Sequence, residues 1–259
     1  MSNMRRWRNL ACATPGAKHV QNQIVCQDAT DTLIVGNALI GVVCDGAGSA
    51  QFAHVGAKLV AETTAIALSK EIQNLQVVRI FGFFKLQASA RTLLKAFRRV
   101  LQLNVRALER KAREMGCQPK DLATTLIAYI ATPSWVGLMQ VGDGFIVFRR
   151  SDEEEYELAF PPEKGEYANT TTFVTSSDAI QKMQVGIVTE SVDFVCASSD
   201  GLERIALQWG SPVRAFPGFF KGVEGMLRAD KYKLEEWMRS DPKLKAKTDD
   251  DLSIVAGVR

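Results

Sequence analysis

ALIGVVCDGAGSA, residues 38–50, decides how the rest of the chain is read. Its first seven residues, Ala38 to Cys44, are apolar throughout, the pattern of a strand covered on both faces. Asp45 closes the run, and Gly46 beside it lets backbone and ligand approach closely. Upstream, DTLIVG (31–36) is another β-type run. The Gly36-Asn37 step between the two favours a tight turn, so a hairpin is expected. Downstream the period changes. Phe52, Val55, Leu59 and Ile66 recur at helical spacing and predict a helix over roughly residues 50–70.

A long amphipathic helix is read through Leu86, Leu93, Phe97, Leu101 and Leu108, ending near Gly116 with Pro119 beyond. Its other face carries Lys95, Arg98, Arg99, Arg106, Arg110 and Lys111. Cations toward a helix C-terminus suit the macrodipole, which makes this a solvated face; a surface for an acidic partner is the alternative. Strands are then expected at 123–131, 135–142, 145–150, 191–199 and 252–258. The polar segment 160–172 reads as a surface flap over substrate. Residues from Val223 to Met238 form one amphipathic helical stretch. Strands in groups with helices between them imply an α+β fold of mainly antiparallel sheets flanked by helices, not a doubly wound parallel sheet. No internal repeat is visible, and the expectation is one domain over 1–259 with its core from about residue 11.

The 259 residues carry a formal charge of only +3, which argues against a nucleic-acid partner. Five cysteines stand singly with no CxxC pair, as in a reducing compartment, and do not form a zinc site. With only two histidines, His19 and His54, any metal must sit mainly on oxygen. The N-terminus has no apolar core of a signal peptide, and no apolar run approaches the ~20 residues that span a bilayer. A cytoplasmic protein with no membrane partner is expected.

Four carboxylates share one kind of position. Asp45, Asp143 and Asp200 each end an apolar strand and precede a glycine, and Asp250 in TDDD precedes the last strand. A single Asp-Gly is an ordinary turn pair. Three of them closing apolar strands converge at one rim if the strands are neighbours in two sheets. Clustered carboxylates repel unless cations neutralise them, and oxygen ligands suit Mg²⁺ or Mn²⁺.

In order along the chain, CQDA (26–29), VCDGAGS (43–49), ATTL (123–126), VGDGFIVF (141–148), SSDGL (198–202) and DDLSIV (250–255) resemble the motifs of the PPM family, the metal-dependent or type 2C Ser/Thr protein phosphatases. GAKHVQNQIVCQDA (16–29) and EYANTTTF (166–173) look most like a bacterial branch of it. The resemblance covers about Lys18 to the C-terminus. It implies a four-layer α-β-β-α sandwich. It implies two Mn²⁺ or Mg²⁺ ions bridged by Asp45, one of them also on the Gly46 carbonyl, with Asp200 and Asp250 completing the first site. Asp143 with Asp200 matches the third-metal site of many members, and Asp28 would position water at the metals. Gln27 stands where the family usually has Glu, which implies a weaker second metal or an altered metal preference. The family's phosphate-binding Arg would fall near Gln23, and Lys18 or His19 is the candidate replacement, His19 also as general acid.

The function implied is hydrolysis of phosphoserine or phosphothreonine on proteins, with a Ser/Thr kinase supplying the substrate in a signalling role. Two other readings stay open: a phosphatase fold kept as a regulatory or phosphopeptide-binding module, and a hydrolase of small phosphate monoesters.

Overall fold

The computed structural model of the protein describes residues 6–75, 90–160 and 171–259. In chain order the elements are β1 (Arg8–Thr14), α1 (Ala17–Gln21), β2 (Ala29–Val35), β3 (Ala38–Cys44), α2 (Ala53–Leu75), α3 (Ala90–Met115), β4 (Leu126–Ala131), β5 (Val136–Val141) and β6 (Phe145–Arg150). There follow β7 (Glu157–Leu158), α4 (Ala179–Lys182), β8 (Gln184–Val188), β9 (Val192–Ser198), α5 (Glu203–Ala206), β10 (Leu207–Gln208), β11 (Arg214–Ala215), α6 (Pro217–Ala229), α7 (Lys231–Ser240), α8 (Pro242–Lys245) and β12 (Leu252–Val258). One sheet has the order β1-β12-β9-β6-β7 and the other β2-β3-β4-β5-β8. Neighbouring strands pair antiparallel throughout both.

Alternation along the buried strands builds the layers. In β3, Ile40, Val42 and Cys44 pack with Val60 and Leu68 of α2 and Phe97 and Leu101 of α3. Leu39 and Val43 point the other way, into a layer with Ile127, Tyr129, Ile146, Val195 and Val255 between the two sheets. On the far side, Phe194 and Cys196 of β9 meet Phe220 of α6 and Leu234 and Met238 of α7. Both faces of β3 and β9 are covered because each side chain belongs to one of two apolar layers. The result is an α-β-β-α sandwich of the expected class. Helix α3 holds its apolar stripe against α2, and Asn104 Nδ2 donates to Thr64 Oγ1 at 2.7 Å across the buried contact. Its basic face is partly neutralised, since Arg99 pairs with Glu71 at 2.6 Å and Arg110 and Lys111 lie near Glu114.

Several boundaries differ from expectation. The first long helix runs on to Leu75. The stretch 223–238 is two helices, because Asp230 is extended (φ −161°) and caps α7 by accepting from the Tyr232 N–H at 3.0 Å. Strand β1 was not expected. It pairs with β12 along its whole length and starts the fold at Arg8, ahead of the expected core limit near residue 11. Residues 161–170 of the flap segment and the first residues of the second helix (86–89) lie outside the described residues.

Candidate metal centre

Strand register gathers the acidic residues at one end of the sandwich. Ala29, which follows Asp28, pairs with Cys44, which precedes Asp45. Phe145 and Ile254 both pair with Ser198, so the chain near Asp143, Asp200 and Asp250 meets at the same end of the other sheet. Asp45, Asp143 and Asp200 come together, with one carboxylate oxygen of each within 4.8 Å of the others. Asp250 lies outside that trio but acts on both Asp45 and Asp200 electrostatically.

The threonines of ATTL fix Asp45 through its backbone. The Asp45 N–H donates to Thr125 Oγ1 at 3.0 Å, and its carbonyl accepts from the Thr125 N–H at 2.8 Å and from Thr124 Oγ1 at 2.9 Å. Gly46 is needed for close approach: a Cβ there would stand 2.6 Å from the Gln27 carbonyl oxygen, which accepts the Gly46 N–H. Gly201 is equally constrained, with the Asp251 carbonyl oxygen 2.0 Å from where a Cβ would be. Thr171 Oγ1 donates to Asp143 Oδ2, which brings the C-terminal end of the flap segment onto the trio.

The clustered carboxylates disfavour one another's ionised forms. Burial and the carboxylates of Asp28, Asp200, Asp250 and Asp143 push the Asp45 carboxyl well above the usual range. Burial, then Asp143 and Asp250, also raise Asp200, partly offset by its hydrogen bond with Asp45. Asp200 Oδ1 is buried and has no hydrogen-bond partner. An orphaned buried carboxylate oxygen beside two further carboxylates is a donor set that fits a divalent cation.

Asp28 is not one of the trio but is the first of the carboxylates that raise Asp45. It accepts from Ser199 Oγ at 2.7 Å, and Ser253 Oγ donates to Ser199 Oγ at 2.9 Å, so three residues from both sheets form one buried chain. Burial raises the Asp28 carboxyl, and the two serines lower it. His19 lies on α1, with Nδ1 2.8 Å from Asp251 Oδ1. The Asp251 carboxylate also accepts from the Gly16 N–H at 2.8 Å and the Gln27 N–H at 2.6 Å. Gln23 is exposed with φ at 56°.

Two further carboxylates near the trio escaped the sequence reading. Asp251 follows Asp250 at the start of β12 and serves as a buried clamp on α1 and the loop before β2; only the TDDD run hinted at a second role there. Glu203 opens α5 half-buried and is pushed up to about 7 by burial and by Asp200 and Asp143, which places it in the field of the trio. Cys44 and Cys196 are fully buried, and burial raises both thiols, so neither offers a thiolate nucleophile.

Comparison with known proteins agrees with this geometry. Residues 15–239 match the sequence profile described as Protein phosphatase 2C. Serine/threonine-protein phosphatase 3 of Escherichia coli (strain K12) is 30% identical over 260 residues, covering 96% of this chain and 96% of that protein. Among solved structures, a bacterial serine phosphatase superposes with a TM-score of 0.65 at 15% identity, covering 98% of each chain. The serine/threonine phosphatase Stp1 from Staphylococcus aureus gives 0.57 at 13% identity, covering 98% of this chain and 96% of that one. These structural likenesses concern the fold, which is the two-sheet sandwich. No helix among the described residues is long and apolar enough to cross a membrane. The chain belongs to the protein phosphatase 2C family of metal-dependent serine/threonine phosphatases.

Proposed function

We propose that the chain hydrolyses phosphoserine and phosphothreonine on proteins, with Mn²⁺ or Mg²⁺ held by Asp45, the Gly46 carbonyl, Asp200 and Asp250, and with Asp143 offering a further position beside Asp200. The observation that carries this reading is the carboxylate trio with its orphaned Asp200 oxygen. When bound, such ions supply charge neutralisation, a polarised phosphate and a water of lowered pKa. The protein's residues do the rest. The Thr124 and Thr125 hydroxyls, bonded to the Asp45 backbone, keep that residue in place. Asp28, fixed by Ser199, orients water for in-line attack on phosphorus. As water adds, the P–O bond to the serine or threonine breaks, giving the alcohol and inorganic phosphate. Asp251 fixes the ring of His19, which serves as the proton donor to the leaving oxygen. One domain carries the whole reaction, acting in the cytoplasm on proteins phosphorylated by a Ser/Thr kinase.

The test is turnover of a phosphothreonine peptide and of p-nitrophenyl phosphate with Mn²⁺ or Mg²⁺. Metal-dependent cleavage of both supports the reading. Cleavage of the small ester alone points to a metabolite phosphatase, and no turnover with either ion points to a regulatory module.

A further inference from the structure

We propose that Arg6, Arg8, Arg228 and Arg259 form a second binding site, for a phosphate-bearing anion, at the end of the sandwich opposite the carboxylates. These four arginines and Val258 line a cavity of about 410 Å³. Strand β12 connects the two sites. It starts beside Asp250 and Asp251 and ends at Val258, and its seven residues, six steps of about 3.3 Å, separate the ends by roughly 20 Å. A phosphate held here is therefore out of reach of the catalytic rim.

The arginines are positioned largely by backbone. Arg8 NH1 donates to the Arg228 carbonyl, and Arg228 NH1 donates to the Arg259 carbonyl at 3.0 Å. The Arg8 position is set by its pairing with Val258 across β1 and β12. Two of the four are already engaged: Arg228 donates Nε and Nη2 to Glu224 at 3.0 and 2.8 Å, and Arg259 donates Nη2 to Ser191 Oγ at 3.0 Å. Glu224 is shared between Arg149 and Arg228, each at 2.8 Å, and Asp193 lies 3.7 Å from Arg259. Among the described residues, neither Arg6 nor Arg8 has a carboxylate partner. Arg259 Nε is buried and has no hydrogen-bond partner. Guanidinium forks match phosphate oxygens in pairs, and Arg6 and Arg8, which have no carboxylate partner among the described residues, are the forks available for it, with Arg228 held as a wall by Glu224 and the Arg259 backbone; the cavity is of the size that holds a small ligand. The anion is either a free phosphorylated small molecule or a phosphate group on a bound protein, since both present the same oxygens.

The proposal is tested on the full, Mg²⁺-loaded chain by NMR titration of the arginine Nε–H resonances with inorganic phosphate. The expected result is a saturable shift of the Arg8 and Arg259 signals. Arg8→Gln is expected to weaken that binding at least about tenfold, the scale of one lost charge-assisted hydrogen bond. Arg6→Gln, at an exposed position ahead of β1, serves as a second variant that leaves the strand intact. A serine peptide carrying two non-hydrolysable phosphonate groups, which the catalytic centre cannot cleave, is the second titrant: shifts with the peptide at lower concentration than with free phosphate identify a protein-borne group, and the reverse identifies a small molecule. No shift of either signal with either ligand at millimolar concentration, or equal affinity in wild type and both variants, overturns the proposal.

Discussion

Replacing Asp45 with Asn is expected to stabilise the metal-free protein near neutral pH and to change little near pH 4. Burial and four neighbouring carboxylates hold the Asp45 carboxyl above its ordinary value of 3.8. Above that value the unfolded chain ionises Asp45 freely, while the folded chain keeps the proton or suffers repulsion. The folded state therefore binds more protons, and stability falls as pH rises, by about 1.4 kcal/mol per pH unit for one retained proton. From 3.8 to about pH 7 the upper bound is about 4 kcal/mol. Water entering the partly open rim screens the carboxylates, and about 2 kcal/mol is a realistic share, equivalent to about 4–8 °C for a chain of this size. Asn has the shape of Asp, and its amide can donate to Asp200, which already hydrogen-bonds Asp45. Calorimetric melting of both proteins in a chelator, across this pH range, reads the difference. A gain at neutral pH that vanishes in acid fits the reasoning. No gain at neutral pH, or the same gain at both ends, refutes it.

Further outcomes follow from individual contacts. His19→Gln is expected to lower kcat on a phosphothreonine peptide about 100-fold, the usual scale of general-acid help, but to spare p-nitrophenyl phosphate, whose leaving group needs no proton; equal losses on both would count against proton donation. Thr125→Val removes the acceptor of the Asp45 N–H and is expected to cost about 1–3 kcal/mol in urea unfolding; an unchanged midpoint would contradict the clamp. Gly201→Ala drives a methyl into the Asp251 carbonyl and is expected to cost on the order of 1–3 kcal/mol and to weaken Mn²⁺ binding by shifting Asp200. Wild-type affinity in that variant would show that the close approach does not position the site.

The parts legible in the sequence were those written in unbroken local patterns. The run from Ala38 to Cys44 read as a doubly covered strand because every side chain in it enters one of two apolar layers. The stripe of α3 read as a helix because its buried residues recur every three or four positions. Strand β1 escaped because its alternation is carried by Leu10 and Cys12 among polar and small residues, and pairing with β12 supplies the rest. The break at Asp230 escaped because the apolar period continues across it. At the site, Asp-Gly steps at strand ends pointed to the trio. The role of Asp251 was invisible, since its three donors come from residues 16, 19 and 27, more than two hundred positions away. Glu203 was hidden in the same way, because only the fold turns the start of α5 toward Asp143 and Asp200.

The claim on which the account rests is that Asp45 belongs to a carboxylate centre that holds divalent cations. Isothermal titration of Mn²⁺ into wild type and Asp45→Asn, each checked for native circular dichroism, tests it most directly. Saturable binding in the wild type that is lost or at least about tenfold weaker in the variant is the predicted result. A wild type that takes up no Mn²⁺, or a variant that binds it undiminished, would contradict the account.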